Sequence, residues 1–230
     1  SIPVFHDDQH GTAIVALAGL LNACELQQKN IKKCKFVFSG AGSSAIATAN
    51  LLVEEDVPSE NIIMCDSKGV IHSERTDLNK YKEAFAINTS RRTLSDAMFE
   101  ADIFIGMSVK DAVDESMLLS MAPSPIVFAL ANPDPEITYE KALRTRTDII
   151  VATGRSDNPN QVNNVLGFPF IFRGALSVGA VEINEEMKRA ASQAIASISK
   201  KPVISEVLDA YGLEDLEFGK NYIIPKPMDP

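Results

Sequence analysis

The fold of this chain is decided by the stretch Val37-Phe38-Ser39-Gly40-Ala41-Gly42-Ser43-Ser44-Ala45. A short apolar run leads directly into G-x-G-x-x-A, and the apolar spacing of a helix follows. This order predicts a strand, a tight turn at Gly40, and a helix whose N-terminal N–H groups point at a bound pyrophosphate. Gly42 has no side chain and would let the phosphates approach the backbone, while Ala45 is small enough for close packing of the helix on the strand.

A second apolar run, at residues 61–65, ends in Asp66. An acid in this position can accept hydrogen bonds from the ribose hydroxyls of a dinucleotide. The alternative is a glycine turn of some other α/β protein, with Asp66 only capping the strand end. Because strand, turn, helix, strand and acid occur in order, the sequence favours a dinucleotide site. Its candidate residues are Gly40, Ala41, Gly42, Ser43, Ser44 and Asp66.

Strand-like and helix-like patterns alternate along the rest of the chain. This alternation predicts an α/β fold, a Rossmann-like, doubly wound, mostly parallel sheet with helices on both faces. No strong domain boundary appears, so residues 1–230 are expected to form one NAD(P)-binding domain. The predicted strands are 35–39, 61–65, 102–106, 125–131 and 148–153, and the predicted helices are 11–30, 43–54, 78–87, 93–100, 115–121, 139–145 and 182–198.

Composition narrows the class of protein. The net charge of −9 argues against binding nucleic acid or an anionic membrane surface. The apolar run at residues 13–21 is too short to cross a bilayer and follows acidic rather than basic residues, so we expect neither a signal peptide nor a membrane helix. Cys24, Cys34 and Cys65 lack C-x-x-C spacing, which favours reduced thiols in the cytoplasm or another reducing compartment over a disulfide.

Polar residues follow the later predicted strands, where ligands of an open α/β sheet bind. Asn132 follows an apolar run and precedes Pro133-Asp134-Pro135, and residues 153–156 follow the next strand in the same way. Asn163 and Asn164 are adjacent carboxamides that could orient a carboxylate, a hydroxyl or a nicotinamide amide. For each of these residues, turn formation is the alternative, and taken singly it would be favoured.

A further polar cluster, His6-Asp7-Asp8-Gln9-His10-Gly11-Thr12, lies immediately before a predicted helix. Asp7 and Asp8 offer hard oxygen ligands that suit Mg²⁺ or Mn²⁺, whereas His6 and His10 would suit zinc if both faced one way. Zinc is less favoured because the H-E-x-x-H pattern is missing and the carboxylates precede the helix. Stabilisation of the helix N-terminus by Asp7 and Asp8 is the alternative, and spacing alone leaves it open.

These motifs resemble the NAD(P)-binding domain of the malic enzymes, most of all the small bacterial-type members. The resemblance runs nearly end to end. It is carried by residues 2–13, by Ala131-Asn132-Pro133, by residues 152–157 and 159–165, by Phe168-Pro169 with residues 171–176, by residues 182–187, and by Tyr222-Ile223-Ile224-Pro225.

The resemblance implies oxidative decarboxylation of malate to pyruvate and CO₂, with reduction of NAD or NADP and a requirement for Mg²⁺ or Mn²⁺. It implies that Asp8 is a metal ligand and that its neighbour Asp7 supports the catalytic base. Asn132 and Asn164 would contact the substrate, with Asn163 beside them at the cofactor. A homodimer is also expected from the resemblance alone.

The resemblance also identifies parts that this sequence lacks. Family members carry, ahead of the matched region, a substrate-side domain that supplies a tyrosine acid, a lysine base and further acidic metal ligands. Because the chain begins at Ser1 beside its first motif, it is expected to be a fragment that is catalytically incomplete by itself. Gly106-Met107-Ser108-Val109-Lys110-Asp111 replaces the usual Gly-Pro-Gly type turn, a departure near the expected nicotinamide.

Two alternative functions and the choice of cofactor follow from the same residues. A malolactic-type relative would share this constellation but make lactate, and a nucleotide-binding or regulatory module would not catalyse. Asp66 would repel the 2′-phosphate of NADP and favour NAD, whereas Lys68 could neutralise that phosphate and favour NADP. On charge alone the sequence leans to NAD.

Overall fold

The computed structural model describes residues 2–229, which fold around a six-stranded sheet of order β3-β2-β1-β4-β5-β6. Five strands are parallel, and β3 alone pairs antiparallel to its neighbour β2. The chain order reverses between β1 and β4, and in such sheets ligands bind beyond the strand ends at this point. The strands are β1 (Phe36–Ser39), β2 (Ile62–Asp66), β3 (Gly69–Val70), β4 (Ile103–Gly106), β5 (Ile126–Ala129) and β6 (Ile150–Thr153).

Helices cover both faces of the sheet. A π-helical turn, Asp7–Gly11, leads directly into the first helix, and a 3₁₀ turn, Asn164–Leu166, precedes the seventh. The helices are α1 (Thr12–Leu26), α2 (Ser43–Glu54), α3 (Lys80–Glu83), α4 (Leu94–Met98), α5 (Glu115–Ser120), α6 (Tyr139–Thr145), α7 (Phe170–Ser177), α8 (Glu185–Ile198) and α9 (Ser205–Tyr211).

The strands are buried on both sides, because successive side chains enter opposite hydrophobic layers. In β1, Phe36 and Phe38 pack with α1, α2 and α8, whereas Val37 packs into the layer that holds α4, α5 and α6. All four residues of β1, β4, β5 and β6 are buried. The doubly wound class predicted from the alternating pattern is therefore confirmed.

Most predicted elements are present, and the differences have local causes. The two-residue strand β3 is too short to show an alternating pattern. Only Lys80–Glu83 of the predicted helix at 78–87 is helical, because Asn79 caps its start and the chain then turns. Helices α7 and α9 were not predicted, because each has only seven or eight residues and so shows few repeats of the helical spacing.

Buried polar contacts join α8 to the helix that follows the π-helical turn. Ser192 Oγ donates to the Ile14 carbonyl at 2.9 Å, and Asn22 Nδ2 donates to the Ala196 carbonyl at 2.9 Å. Such satisfied buried groups fix one arrangement of two helices, because a shift would leave donors unpaired. The Asp7–Gly11 turn is thereby held at one place beside the sheet.

Among residues 2–229, the structure contains no helix with the length and apolar character needed to cross a membrane.

Candidate active site

The glycine-rich turn lies at the point where the strand order reverses. Gly40 follows β1 with φ of +114°, a conformation that L side chains rarely adopt, and a Cβ there would overlap the Met107 carbonyl beyond β4. Ser39 Oγ and Ser108 Oγ are 2.8 Å apart and tie the ends of the same two strands together. Gly40 is therefore required by the backbone itself, as the sequence predicts.

Gly42 has a different reason for lacking a side chain. Its φ of −80° is open to any residue, and no described atom lies within 4 Å of the place that a Cβ would occupy. Among the described residues, no side chain caps the N-terminus of α2, which begins at Ser43. An anionic group that binds at a helix N-terminus needs open space and backbone N–H groups without partners, and both are present beside Gly42.

Asp66, at the carboxyl end of β2, is surrounded by cations. Both of its oxygens accept hydrogen bonds from Arg75, at 2.8 and 3.0 Å, and Lys82 Nζ donates to Oδ2 at 2.7 Å. The side chain of Asp66 is only 8% exposed. Burial opposes its ionisation, but the hydrogen bonds from Arg75, Lys82 and the Lys68 backbone hold the pKa of Asp66 well below its usual range.

These contacts bear on the expected preference for NAD, which rested on the negative charge of Asp66. Lys68 Nζ donates to Asp77 at 2.7 Å, and Asp77 also accepts from Arg75. The expected repulsion of a 2′-phosphate assumed an uncompensated charge on Asp66, whereas the structure compensates that charge with two cations. The end of β2 is thus a compact cluster of Lys68, Arg75 and Lys82 around the carboxylates of Asp66 and Asp77, and the lean to NAD stays a prediction.

Asp7 opens the π-helical turn and is held by Asn164. Asn164 Nδ2 donates to Asp7 Oδ2, while Asp7 Oδ1 is buried and has no hydrogen-bond partner among the described residues. Burial and the neighbouring charge of Asp8 raise the pKa of Asp7, and the Asn164 hydrogen bond opposes that shift. A Cβ at Gly11 would overlap Asp7 Oδ1, so glycine there leaves room for this carboxylate.

Asp8 is exposed, and its main chain is linked to the glycine-rich turn. Ser44 Oγ, in the first turn of α2, donates to the Asp8 carbonyl at 2.7 Å. Neither the π-helical turn nor α1 receives a side-chain cap from the residues that the structure describes. The structure thus gives no hydrogen bond in support of capping by Asp7 or Asp8.

His10, one of the two histidines of this cluster, contacts Lys188 and Phe5. His10 Nδ1 lies 3.3 Å from Lys188 Nζ, and its ring packs 5.6 Å from that of Phe5. Burial and the Lys188 charge lower the pKa of His10. Within residues 2–229, no group of three or more His, Cys, Asp or Glu side chains is arranged to hold a metal ion. The two carboxylates suit Mg²⁺ or Mn²⁺ chemically, but they are an incomplete ligand set.

Asn132 occupies a separate cleft at the carboxyl ends of β5 and β6. The cleft, of about 390 Å³, is lined by residues 131–133, 154–157 and Gln161. Asn132 is exposed there, beside the Arg155–Asp157 ion pair, whose side chains meet at 2.6 Å. The structure therefore brings together Asn132 with the turn after β6, and Asp7 with Asn164.

Asn163, a predicted cofactor contact, has a local structural role. Its side chain accepts a hydrogen bond from the Val165 N–H at 3.0 Å and caps the 3₁₀ turn. Asx turns of this kind are what asparagine forms in many loops. Its contribution to a cofactor site stays a prediction.

Glu136 was not identified from the sequence. It is fully buried and accepts hydrogen bonds from Ser108 N at 2.8 Å, Ser108 Oγ at 3.1 Å and Ala131 N at 3.1 Å. Burial raises the pKa of its carboxyl group. A Cβ at Gly106 would overlap Glu136, so glycine there leaves room for this side chain. Because Ser108 and Ala131 both donate to Glu136, this glutamate fixes the loops after β4 and β5 and thereby positions Asn132. Its position just after Pro133-Asp134-Pro135 gave no signal of burial.

A glycine-rich turn at the reversal point of a doubly wound sheet, with an acid ending the second strand, is typical of a dinucleotide-binding domain. Residues 9–209 match the family model described as malic enzyme, NAD binding domain. The chain belongs to the malic enzyme family.

Individual relatives agree with this assignment. The NADP-dependent malic enzyme of Halomonas elongata is 56% identical over all of this chain, which spans 54% of that relative. The NAD-dependent malic enzyme of Rhizobium meliloti is 48% identical over 99% of this chain and 30% of its own length. The crystal structure of the malic enzyme from Pyrococcus horikoshii superposes with a TM-score of 0.86 and 38% identity, over 100% of this chain and 52% of that one. The chain thus spans about half of two of these relatives and about a third of the other.

Proposed function

We propose that this chain supplies the dinucleotide-binding half of an enzyme that decarboxylates malate oxidatively to pyruvate and CO₂. The observation that carries the proposal is the linkage of three parts. Asn164 holds Asp7, Asp8 follows Asp7, and Ser44 connects Asp8 to the helix whose N-terminus faces Gly42. A group that binds an anionic cofactor is thereby joined to carboxylates that suit a divalent cation.

The roles of this chain's own residues follow from their positions. The uncapped N-terminus of α2 would bind the pyrophosphate, and the cleft at Asn132 would orient polar groups beyond β5 and β6. Asp8 would give one carboxylate ligand to Mg²⁺ or Mn²⁺. When bound, such an ion chelates a 2-hydroxy acid and stabilises the negative charge that develops as CO₂ leaves.

Asp7 would act on the proton-transfer machinery rather than on the metal. Its Oδ1 is buried and unpaired among the described residues, while Asn164 fixes its Oδ2. A buried acceptor without a donor costs free energy, about 1–3 kcal/mol, unless a partner arrives. An amine that serves as the catalytic base, from outside the described residues, would donate an N–H to this oxygen and be oriented by it, while its lone pair stays free to accept a proton.

We infer that NADP is the preferred cofactor, in place of the NAD favoured by the sequence alone. Lys68, Arg75 and Lys82 lie within hydrogen-bonding distance of Asp66 or Asp77 at the end of β2. In this fold the end of the second strand faces the adenosine ribose, and basic groups there accommodate a 2′-phosphate. The NADP-dependent relative in the comparison is also more similar to this chain than the NAD-dependent one.

The test uses a joined protein, in which the part of the Halomonas elongata relative outside the matched region is attached to this chain at its natural junctions. With malate, Mn²⁺ and NADP, we expect equal amounts of pyruvate, CO₂ and NADPH, and a higher kcat/KM with NADP than with NAD. Lactate as the product would indicate the malolactic alternative. Tight binding of NADP without any turnover of malate would indicate a non-catalytic module.

A further inference from the structure

A buried lysine beside the Asp7–Gly11 turn takes no part in the roles proposed for the acids of that turn. Lys188 lies in α8, and its side chain is only 7% exposed. Lysine is rarely buried unless its charge is paired, and here Glu185 pairs with it at 2.6 Å. Replacing a buried ion pair by apolar residues is often neutral or stabilising. Stability alone therefore does not explain the ammonium group of Lys188.

The second partner of Lys188 is a histidine of the turn itself. Lys188 Nζ and His10 Nδ1 are 3.3 Å apart. An ammonium group has three donors and no acceptor, so Nδ1 accepts this hydrogen bond and the proton of the neutral ring resides on Nε2. The same ring packs against Phe5, with 5.6 Å between the ring centroids. Lys188 and Phe5 together fix the orientation of the His10 side chain.

Fixing His10 also fixes the backbone that carries the two acids. The His10 N–H donates to the His6 carbonyl at 2.8 Å, and this hydrogen bond spans Asp7 and Asp8. A small cavity of about 50 Å³ beside Lys188 is bordered by residues of the turn, α1, α2 and α8. The lysine thus lies where the acid-bearing turn meets the helix that follows the glycine-rich turn.

We propose that Lys188 is a positioning residue that acts through His10 to hold the acid pair of the Asp7–Gly11 turn. The proposal rests on the proposed function, in which Asp8 is a ligand of the divalent cation. Ser192 lies one helical turn further along the same face of α8 and donates to α1. It fixes the helix that follows the turn, whereas Lys188 reaches the turn itself.

Hydrogen exchange in this chain alone tests the attachment without any need for catalysis. Lys188→Met removes the donor and keeps an unbranched side chain. The control is Lys226→Met, because Lys226 is also buried, 8% exposed against 6% for Lys188, but donates to the Pro159 carbonyl at 2.7 Å and not to the turn. We expect the backbone amides of residues 7–11 to exchange about tenfold faster in Lys188→Met and at the wild-type rate in the control. Unchanged exchange in Lys188→Met would overturn the proposal.

A second variant tests whether Lys188 acts through the imidazole. His10→Phe keeps a ring against Phe5 but removes the acceptor, so it should speed the exchange of residues 7–11 to the same extent. Adding Lys188→Met to His10→Phe should then change the exchange little, because the two side chains form one contact. Additive effects would show that Lys188 acts by another route and would overturn the proposal. Should Lys188→Met impair folding, judged by the far-ultraviolet spectrum, Lys188→Ala takes its place.

Kinetics of the joined protein connect the contact to turnover. Lys188→Met should lower kcat about tenfold and raise the Mn²⁺ concentration that gives the half-maximal rate, while the KM for NADP stays within about twofold. A lower thermal midpoint with an unchanged Mn²⁺ requirement would assign Lys188 a purely structural role and contradict the proposal. If the unmodified joined protein does not convert malate, the proposed function fails, whereas hydrogen exchange in the chain alone still decides whether Lys188 holds the turn.

Discussion

The end of β2 and the Asp7–Gly11 turn are two acidic regions of one molecule, and they differ in whether their carboxylate oxygens have partners. At the end of β2, both oxygens of Asp66 are paired with Arg75 and Lys82. At the π-helical turn, Asp7 has one oxygen bound to Asn164 and the other buried without a partner among the described residues, and Asp8 is exposed.

This difference indicates which part of the function the chain carries itself. Buried polar groups are normally satisfied, so an unsatisfied carboxylate oxygen marks a place where another group binds. The carboxylates at the end of β2 are paired by contacts within residues 66–82, whereas the acid pair at Asp7 and Asp8 keeps a buried oxygen that no described residue satisfies.

The largest effect is expected at the incomplete region, from Asp8→Asn in the joined protein. The change keeps the shape of the side chain but removes a metal-binding charge. We expect kcat to fall about 100-fold or more and the Mn²⁺ requirement to rise, because the ion stabilises the transition state. Steady-state kinetics over a range of Mn²⁺ concentrations measure both quantities.

The control for Asp8→Asn is a true helix cap. Asp114 Oδ1 accepts from the Met117 N–H at 2.9 Å at the start of α5, so Asp114→Asn reports the effect of this change on capping alone. Asn caps helices about as well as Asp, and stability should change by at most about 1 kcal/mol. If the two variants behave alike in turnover, Asp8 is not a metal ligand.

At the glycine-rich turn, a large loss of cofactor affinity is expected from Gly42→Val. The structure has open space and an ordinary φ at this residue, so valine should leave the thermal midpoint nearly unchanged. Its side chain would instead fill the space of the pyrophosphate, and affinity for NADP should fall more than tenfold, or more than about 1.4 kcal/mol. Gly174→Val is the control, because Gly174 also has open space but lies in α7. Unchanged affinity in calorimetric titration would show that Gly42 does not contact the phosphates.

A smaller effect is expected from Lys82→Met at the end of β2. Removing this ammonium should lower the ratio of kcat/KM with NADP to kcat/KM with NAD by about tenfold. The reason is that one charge-assisted contact with the 2′-phosphate, worth roughly 1.5 kcal/mol, is lost. Lys80→Met is the control, since Lys80 is exposed and stacks on Tyr81 at 4.9 Å. The cationic cluster would have no part in cofactor selection if both variants kept the wild-type ratio in the joined protein.

The smallest effect concerns acid stability and Asp66. The pKa of Asp66 is depressed in the folded chain, so its contribution is complete above the unfolded value, near 3.9, and is lost as pH falls through the lower folded value. Asp66→Asn should therefore be less stable than wild type by about 1 kcal/mol at pH 7, and this difference should shrink below pH 4. Urea unfolding at pH 7 and pH 3 measures it. A difference that does not depend on pH would show that the ion pairs do not stabilise the fold.

The features predicted correctly from the sequence depend on local backbone requirements. Gly40 and Gly42 lie in one turn, and the strand before them and the helix after them are set by neighbouring residues. Such patterns identified the doubly wound sheet and the glycine-rich turn between β1 and α2 without any knowledge of distant contacts.

The features that were missed depend on contacts between distant parts of the chain. Arg75 and Lys82 reach Asp66 from positions 9 and 16 residues further along, and the sequence pattern did not indicate that these cations surround it. Glu136 is buried because it bonds Ser108, 28 residues away, and a single glutamate in a polar loop gives no sign of this. Asn164 and Asp7 are 157 residues apart, and nothing in the sequence indicated the hydrogen bond between them.

Calorimetric titration of the 230-residue chain with NADP, combined with a malate-dependent NADPH assay on the same sample, tests the central claim most directly. We expect saturable binding that Gly42→Val weakens more than tenfold, no NADPH formation by the chain alone with malate and Mn²⁺, and NADPH formation by the joined protein under the same conditions. Steady malate-dependent NADPH formation by the chain alone, or the absence of any NADP binding, would contradict the account.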